Sequence, residues 1–180
     1  MEPIFLVVGG PGVGKSTTSR ALAATFPRGV HIPVDVLRDM VVTGYRLPGP
    51  DWSDELVRQI RLAREAAIRM ALDYADAGFA IVIDDFWDPL GLAEYRALLE
   101  RPRTHKIVLY PSEDEARRRN RARSGDQDGS YIDSAIPIAY AILEPVIGQL
   151  PEKGWLVLDT TGMDVATTVA AILAHGRAHG

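Results

Sequence analysis

The chain has 180 residues, a formal net charge of −4 and no cysteine. This length suits one domain spanning residues 1–180, and the lack of cysteine excludes disulfide bonds and thiolate metal sites. The negative net charge disfavours nucleic acid as the main partner, because such binding relies on many phosphate contacts. The first predicted strand starts at Ile4, which leaves no room for a signal peptide, and no apolar run approaches membrane-spanning length. We therefore expect a soluble, cytoplasmic protein with no membrane partner.

The first predicted elements enclose a glycine-rich loop. An apolar run rich in β-branched residues at 4–8 predicts a buried strand, and 17–23 predicts a helix. Between them, positions 9–16 read Gly-x-x-x-x-Gly-Lys-Ser, the phosphate-binding loop pattern in the strand–loop–helix context that it requires. The glycines let the backbone approach an anion closely, and free N–H groups at the start of the helix point at the phosphates.

This loop predicts a nucleotide site with a metal ion. Lys15 is expected to reach the β- and γ-phosphates, and the Ser16 hydroxyl is expected to ligate Mg²⁺. The residues expected to bind the nucleotide are Gly10, Gly12, Val13, Gly14, Lys15, Ser16 and Thr17.

The middle of the chain predicts a second strand, a long helix and a third strand. Positions 30–34 form the second strand, and Asp35 follows at its carboxyl end and opens a helical stretch. Ser53 is the predicted N-cap of the long helix. The third strand is an apolar run at 79–83 that ends at Asp84-Asp85. The apolar face of the long helix is formed by Leu56, Ile60, Ala63, Ala67, Met70 and Tyr74.

The rest of the chain continues the alternation of strands and helices. The remaining predicted strands are 106–110 and 155–158, and the remaining helices are 89–100, one opening at the capping box Ser112-x-x-Glu115, 131–149 and 164–175. This alternation predicts an α/β fold whose parallel sheet is covered by helices on both faces. Ligands of such sheets bind outside the carboxyl ends of the strands. The carboxylates expected there, around one mouth with the glycine-rich loop, are Asp35, Asp84, Asp85 and Asp159.

Taken together, the motifs resemble one branch of the P-loop kinases. Gly-x-Pro-Gly-x-Gly-Lys-Ser-Thr at 9–17, Asp35-x-x-Arg38, a strand ending in Asp84-Asp85, and Arg119-Asn120-x-x-Arg123 are similar in order and spacing to the motifs of that branch. It includes 5′-hydroxyl polynucleotide kinases, chloramphenicol phosphotransferases and zeta-toxin-like kinases. The resemblance implies ATP and Mg²⁺ as cosubstrates, a five-stranded parallel sheet, and an Arg-bearing lid at about 112–135. It does not fix the acceptor.

The resemblance also gives roles to the acceptor side of the mouth. Asp35 is expected to take the proton of a substrate hydroxyl as that oxygen attacks the γ-phosphorus, although an N-cap role is the alternative. Arg38 is expected to bind an acceptor phosphate or to steady Asp35, or else to form a surface pair with Asp35 or Asp39. Aromatic residues that could line an acceptor pocket are Tyr45, Trp52, Phe86 and Trp87.

Two further roles are expected for Asp84 and Asp85. One of the two residues holds Mg²⁺, and the other contacts the acceptor. Adjacent strand residues point to opposite faces, so the sequence leaves open which residue takes which role. We assign Asp84 to the metal, and Asp85 to the acceptor together with Trp87. The four histidines have no metal-like spacing and receive no role.

The predicted lid helix carries five arginines. Those at 117, 118 and 119 each follow an acidic residue by four positions, at 113, 114 and 115, which predicts surface ion pairs. Arg121 and Arg123 follow arginines instead, so they are expected to meet an anion such as a triphosphate. By motif match, Arg123 is the first candidate for binding the transferring phosphoryl group, and Arg119 is the second. The alternative partners of Arg123 are Asp126 and Asp128.

These features predict an ATP-dependent kinase that moves the γ-phosphate of ATP to a hydroxyl of a small molecule, with Asp35 as base. A polynucleotide 5′-hydroxyl kinase is one alternative, disfavoured by the net charge and by the lack of a basic stripe outside the lid helix. A regulatory ATPase without a foreign acceptor is another, disfavoured by Asp35, because a switch protein needs no base for a foreign hydroxyl. The sequence leaves the acceptor and the oligomeric state open.

Overall fold

In the computed structural model, the described residues are 2–47, 52–87, 91–124 and 131–178. Five strands form one sheet in the order β2-β3-β1-β4-β5, and every neighbouring pair is parallel. The strands are β1 (Ile4–Gly9), β2 (Gly29–Pro33), β3 (Ala80–Phe86), β4 (Thr104–Leu109) and β5 (Trp155–Leu158). The predicted α/β fold with a five-stranded parallel sheet is therefore confirmed.

Seven α-helices and two 3₁₀ turns connect the strands within the described residues. The helices are α1 (Lys15–Ala23), α2 (Val34–Asp39), α3 (Asp54–Asp76), α4 (Arg96–Leu99), α5 (Glu113–Ser124), α6 (Tyr131–Ile147) and α7 (Val165–Ala178). The 3₁₀ turns are Gly91–Tyr95 and Pro151–Lys153. None of the described helices is both long enough and apolar enough to cross a membrane.

Helices cover both faces of the sheet, so alternate residues of β1 enter two separate cores. Leu6 belongs to the core that α3 closes with Ala67, whereas Val7 belongs to the core that α1 and α7 close with Leu22 and Ile172. Burial on both faces explains why the central strands read as continuous apolar runs and not as alternating ones.

The topology places the glycine-rich loop at a crevice between strands. β1 lies between β3 and β4. After β1 the chain forms β2 and β3 on one side of it, and then crosses to form β4 and β5 on the other side. The register pairs Val7 with Asp84, Gly9 with Phe86, and Pro33 with Asp84. The start of the loop, the end of β3 and the start of α2 therefore meet at one edge, where ligands of such sheets bind.

The long helix α3 agrees with the prediction at its start and departs from it at its end. The Ser53 side chain caps it, accepting a hydrogen bond of 3.2 Å from the Leu56 N–H. Beyond Ala67, the buried face continues through Ala71 and Ala75, and the predicted position Tyr74 is 40% exposed. The Tyr74 ring packs edge-on against Phe79 at 5.2 Å, so it covers the end of the helix and not the sheet.

Two other boundaries differ from the predictions. β3 does not end before Asp84 and Asp85 but continues to Phe86, so both carboxylates lie inside a buried strand. The strand tolerates them because each carboxylate has internal hydrogen-bond donors. The predicted helix at 89–100 is a 3₁₀ turn followed by the short α4. Residues 88–90 lie outside the described residues.

Candidate active site

The phosphate-binding loop is shaped by glycines in the left-handed region. Gly12 has φ +77° and Gly14 has φ +94°, conformations that side chains rarely adopt. A Cβ at Gly12 would lie 2.6 Å from the Ala116 carbonyl oxygen, so α5 packs directly on the loop backbone. The loop therefore needs glycine both for its curvature and for the contact with α5.

Lys15 is a buried cation at the centre of the mouth. Its side chain is 9% exposed, and its Nζ donates a hydrogen bond of 2.8 Å to the Gly10 carbonyl oxygen of its own loop. Burial lowers the pKa of Lys15, and the charges of Asp35, Asp84 and Asp85 oppose that shift. The structure thus brings to Lys15 three of the four carboxylates that the sequence predicted around the mouth.

Asp159, the fourth carboxylate, follows β5 and is exposed. Its Oδ1 accepts a hydrogen bond of 2.8 Å from the Thr161 N–H, and contacts with Thr161 lower its pKa. The side chain therefore shapes the turn after β5, and the carboxylates whose charges act on Lys15 are the other three.

Asp84 is 2% exposed and lies beside the loop serine. The Ser16 hydroxyl donates to Asp84 Oδ1 over 3.2 Å, and His31 Nε2 lies 2.5 Å from Asp84 Oδ2. A hydroxyl and a carboxylate oxygen next to a phosphate loop form the donor set that Mg²⁺ prefers, with phosphate oxygens and water completing its octahedron. The residues at this position fit the ion that the resemblance implies, and Asp84 has the better geometry of the two aspartates.

Asp85 points to the opposite side of β3 and is enclosed. Arg64 Nε donates to Asp85 Oδ2 over 2.6 Å and the Tyr95 hydroxyl donates to the same atom over 2.9 Å, while the Phe86 N–H bonds Oδ1 at 2.8 Å. Burial raises the pKa of Asp85 to about 6, although the Arg64 charge lowers it. The carboxylate is 1% exposed, so its contacts are internal and not with the open mouth where an acceptor contact was expected.

Arg64, the partner of Asp85, was not identified from the sequence. It is 2% exposed, contacts Glu94 Oε2 at 3.3 Å, and lies 4.8 Å from the Phe86 ring centroid. A signal was present: Arg64 stands four residues after Ile60 and four before Ile68, inside the apolar stripe of α3. A charged residue within such a stripe indicates a buried ion pair.

Asp35 is exposed in the first turn of α2, whose N-cap position is occupied by Pro33 and not by Asp35. Of the charges that raise the pKa of Lys15, that of Asp35 is the largest. The structure therefore places an exposed carboxylate within electrostatic reach of Lys15.

Arg38 lies one helical turn further and is 9% exposed. Its Nη2 donates 2.9 Å to the Tyr45 hydroxyl, which in turn donates 2.8 Å to Asp39 Oδ1. Its Nε is buried without a partner, and no described carboxylate lies within ion-pair distance of it. The direct surface pairs with Asp35 or Asp39 that were the alternative are therefore absent from the described residues.

The four predicted acceptor aromatics differ in exposure, and Tyr45 is half-buried and bonded to Arg38 and Asp39. Trp52 is 51% exposed, and its ring lies 6.1 Å from that of Phe86. Trp87 is 8% exposed and packs edge-on against Trp155 at 5.6 Å, while its backbone N–H donates 3.2 Å to the Gly9 carbonyl oxygen. Trp52 is thus open to a ligand and Phe86 is half-buried, whereas the Trp87 ring belongs to the core.

The arginines of α5 form pairs close to the prediction. Arg117 binds Glu113 at 2.7 and 3.0 Å and Arg119 binds Glu115 at 2.7 Å, as expected. The prediction for Arg118 is wrong: it binds Glu115, not Asp114, because residues three apart are also neighbours on a helix. Hydrogen bonds from Arg118 and Arg119 hold the pKa of Glu115 at about 2.

Arg119 connects two loops of the mouth. Its Nη1 donates to the Val13 carbonyl oxygen at 2.9 Å and to Thr160 Oγ1 at 3.2 Å. Its Nη2 donates to the carbonyl oxygens of Thr160 at 2.7 Å and Met163 at 3.4 Å. With the bond to Glu115, all five N–H donors are used inside the protein, so Arg119 ties the phosphate loop to the loop after β5.

Arg123 is exposed near the end of α5. Its Nη2 donates 3.0 Å to Asn120 Oδ1, and Asn120 is buried and donates 2.6 Å to Asp133 of α6. The charge of Arg123 lowers the pKa of Lys15, so the two cations share one electrostatic environment. Its alternative partners, Asp126 and Asp128, and the tip of the predicted lid lie outside the described residues.

Comparison with known proteins shows the family of the chain. A family model described as an AAA domain matches residues 4–139. A search of curated proteins found no significant match.

Several solved structures share the fold over nearly the whole chain. Shikimate kinase from Acinetobacter baumannii in complex with shikimate is 18% identical with a TM-score of 0.65, covering 96% of this chain and 92% of its own. A gluconokinase from Sinorhizobium meliloti is 20% identical with a TM-score of 0.66, covering 98% and 92%. The tunicamycin resistance protein of Deinococcus radiodurans is 17% identical with a TM-score of 0.65, covering 97% and 95%. The chain therefore belongs to the AAA-domain family whose model it matches, and its fold is that of the P-loop kinase group.

Proposed function

We propose that this protein is a kinase that transfers the γ-phosphate of ATP to a hydroxyl group of a small-molecule acceptor. The observation that carries the proposal is Asp35, an exposed carboxylate in the first turn of α2 whose charge acts on Lys15 more strongly than that of any other described carboxylate. A hydrolytic switch has no use for a carboxylate at that place, whereas a kinase needs one to accept the proton of the attacking hydroxyl.

ATP binding rests on the loop backbone and on Lys15. The loop N–H groups at the start of α1 face the phosphates, and Lys15 Nζ exchanges the Gly10 carbonyl oxygen for phosphate oxygens. Ser16 and Asp84 would hold Mg²⁺, which neutralises phosphate charge when it is bound. Arg119 keeps the Val13 carbonyl fixed and thereby preserves the curvature of the loop around the nucleotide.

In the transfer step, Asp35 holds the acceptor hydroxyl and takes its proton while the oxygen attacks the γ-phosphorus. The bond to the β–γ bridging oxygen breaks, ADP leaves, and Asp35 returns the proton to solvent. Arg123 is the flexible cation that meets the charge of the transferring group, since its guanidinium is exposed and near Lys15. Asp85 acts indirectly, by fixing Arg64 and the end of β3 beneath the mouth.

The acceptor side favours a molecule that combines a negative group with an apolar part. Arg38 offers a buried Nε without a partner among the described residues, and this donor is suited to a carboxylate or phosphate oxygen. The ring of Trp52, which is 51% exposed, and the half-buried ring of Phe86 offer an apolar surface at the end of β3. The structural relatives named for shikimate and gluconate act on small molecules, which supports an acceptor of that size.

A polynucleotide 5′-hydroxyl kinase is the second candidate. It is favoured by the unpartnered Arg38 donor, which would also suit a backbone phosphate, and disfavoured by the net charge of −4.

The experiment is a screen for acceptors. Hydroxyl-bearing metabolites, antibiotics, nucleosides and 5′-hydroxyl oligonucleotides are incubated with ATP, Mg²⁺ and the protein, and mass spectrometry detects addition of a phosphoryl group. Lys15→Ala protein serves as the blank. Phosphorylation of a small molecule by wild type alone supports the proposal, and phosphorylation of oligonucleotides alone supports the second candidate. ATP hydrolysis that no acceptor accelerates would contradict both.

A further inference from the structure

His31 makes a short contact with the carboxylate that would hold the metal. It lies within β2 with its side chain 17% exposed, and its Nε2 is 2.5 Å from Asp84 Oδ2. Because a carboxylate only accepts hydrogen bonds, Nε2 must carry the proton and donate it. The contact crosses from β2 to β3, whose register places Pro33, two residues further on, beside Asp84.

We propose that His31 is a positioning residue that orients Asp84 for the metal; this inference rests on the proposed function. The two oxygens of Asp84 have different partners, since Oδ2 accepts from His31 while Oδ1 accepts from the Ser16 hydroxyl. The side-chain torsion that exchanges the two oxygens of an aspartate is broad and holds no fixed orientation by itself. The His31 hydrogen bond fixes it and leaves Oδ1 turned toward Ser16.

Within the described chain, His31 is the donor that holds Oδ2. The nearby ammonium of Lys15 is directed to the Gly10 carbonyl oxygen, and Asp85 is turned away toward Arg64. Removing His31 would leave the Asp84 carboxylate, which is 2% exposed, with Ser16 as its hydrogen-bond partner and free to rotate. Outer hydrogen-bond partners of metal ligands typically change metal affinity by about tenfold to hundredfold when they are lost.

The competing explanation is that His31 only fastens β2 to β3. Two substitutions separate the two roles. His31→Leu removes the donor, whereas His31→Gln keeps an N–H group at nearly the reach of Nε2. His105→Leu is the matched control, because His105 is also a histidine within a strand of the parallel sheet. It lies in β4, is buried, and stacks on Phe5 of β1.

The test measures metal binding and not turnover. Electron paramagnetic resonance of Mn²⁺ gives its dissociation constant in the complex with a non-hydrolysable ATP analogue, and calorimetry gives binding of the analogue without metal. We expect His31→Leu to weaken Mn²⁺ binding about tenfold or more, with metal-free binding of the analogue unchanged. His31→Gln should restore Mn²⁺ binding to near wild type, and His105→Leu should leave it unchanged even if it lowers thermal stability.

Three results would overturn the inference. Equal Mn²⁺ affinity in folded His31→Leu and wild type would remove His31 from the metal site. Equal losses in His31→Leu and His105→Leu, or a loss that His31→Gln does not restore, would indicate a general effect of strand packing. If wild type itself bound no Mn²⁺ with the analogue, both the proposed kinase function and the inference would fail. The other two results would remove only the role of His31 and leave the proposed function standing.

Discussion

Replacing Arg64 with methionine tests whether Asp85 is a buried structural carboxylate. Arg64 and Asp85 are 2% and 1% exposed, and their bond of 2.6 Å is enclosed between α3 and β3. Methionine fills similar space but leaves a buried carboxylate without its cation, a change that typically costs about 3–5 kcal/mol. For a chain of this length, each kcal/mol lowers the melting temperature by about 2–4 °C, so we expect a decrease of about 10 °C near pH 8.

The loss of stability caused by Arg64→Met should be smaller at low pH than at high pH. Burial raises the pKa of Asp85 to about 6 above its ordinary 3.8, so the native carboxyl already favours its neutral form more than the unfolded one does. The protonated Asp85 carboxyl therefore contributes to the stability of the folded state. This contribution is fully present below about pH 4 and is lost as the pH rises through 6. Removing Arg64 raises the pKa of Asp85 further, because the Arg64 charge lowers it. Arg64→Met should therefore be less destabilising at pH 5 than at pH 8.

The assay is thermal unfolding followed by circular dichroism at both pH values. Arg61→Met is the matched control, since Arg61 lies on the same helix, is 57% exposed and contacts Glu65 at 3.8 Å. A surface pair of this kind contributes at most about 1 kcal/mol. Arg64→Met combined with Asp85→Leu should recover much of the loss, because the fully buried carboxylate is gone and Glu94, the other partner of Arg64, is 27% exposed. Equal effects of the two arginine substitutions, or a cost that did not change with pH, would refute the reasoning.

Three further predictions concern the nucleotide side. Lys15→Ala should abolish phosphoryl transfer and weaken ATP binding without lowering the melting temperature, as measured by calorimetry and unfolding; unchanged turnover would contradict it. Arg123→Ala should lower kcat more than it weakens ATP binding, because the charge it meets is largest in the transition state. Arg117→Ala should change kcat little, since Arg117 is paired with Glu113. Similar kinetics in both variants would contradict the distinction between Arg123 and the surface-paired arginines. Gly12→Ala should destabilise the protein by about 1–3 kcal/mol and weaken ATP binding, because φ is +77° and the new Cβ would meet the Ala116 carbonyl.

The phosphate loop was predictable because its chemistry is local. Strand, glycines, lysine and helix lie within consecutive residues, so residue type and spacing were sufficient to place Lys15 and Ser16. The parallel sheet followed in the same way from the alternation of apolar runs and helices. The strand order is a property of long-range pairing, and only the structure gave it.

The roles of Asp84, Asp85 and His31 depend on that pairing. Alternation along β3 showed that the two aspartates face opposite ways, but the side that meets Ser16 is decided by how β3 lies between β2 and β1. His31 is 53 residues from Asp84 in the chain and belongs to no motif. Its contact exists because β2 pairs with β3, which the sequence alone did not indicate.

Arg119 illustrates the same limit on the nucleotide side. Its pair with Glu115 was predicted from their spacing of four residues on a helix. Its contacts with Val13 and Thr160 join segments 106 and 41 residues away in the chain, so no local pattern carries them. The motif therefore singled out an arginine whose donors are all bonded within the protein, and the role proposed for Arg123 stays a prediction.

The measurement that tests the central claim most directly is phosphoryl transfer by Asp35→Asn to an acceptor found in the screen. Asparagine keeps the size of Asp35 but accepts no proton, so ATP binding and the melting temperature should stay near wild type. The transfer rate should fall about a hundredfold or more, the usual contribution of a positioned base. Asp39→Asn is the matched control, because Asp39 ends the same helix and contacts Tyr45 instead of the mouth. A transfer rate in Asp35→Asn equal to those of wild type and Asp39→Asn would contradict the proposed mechanism.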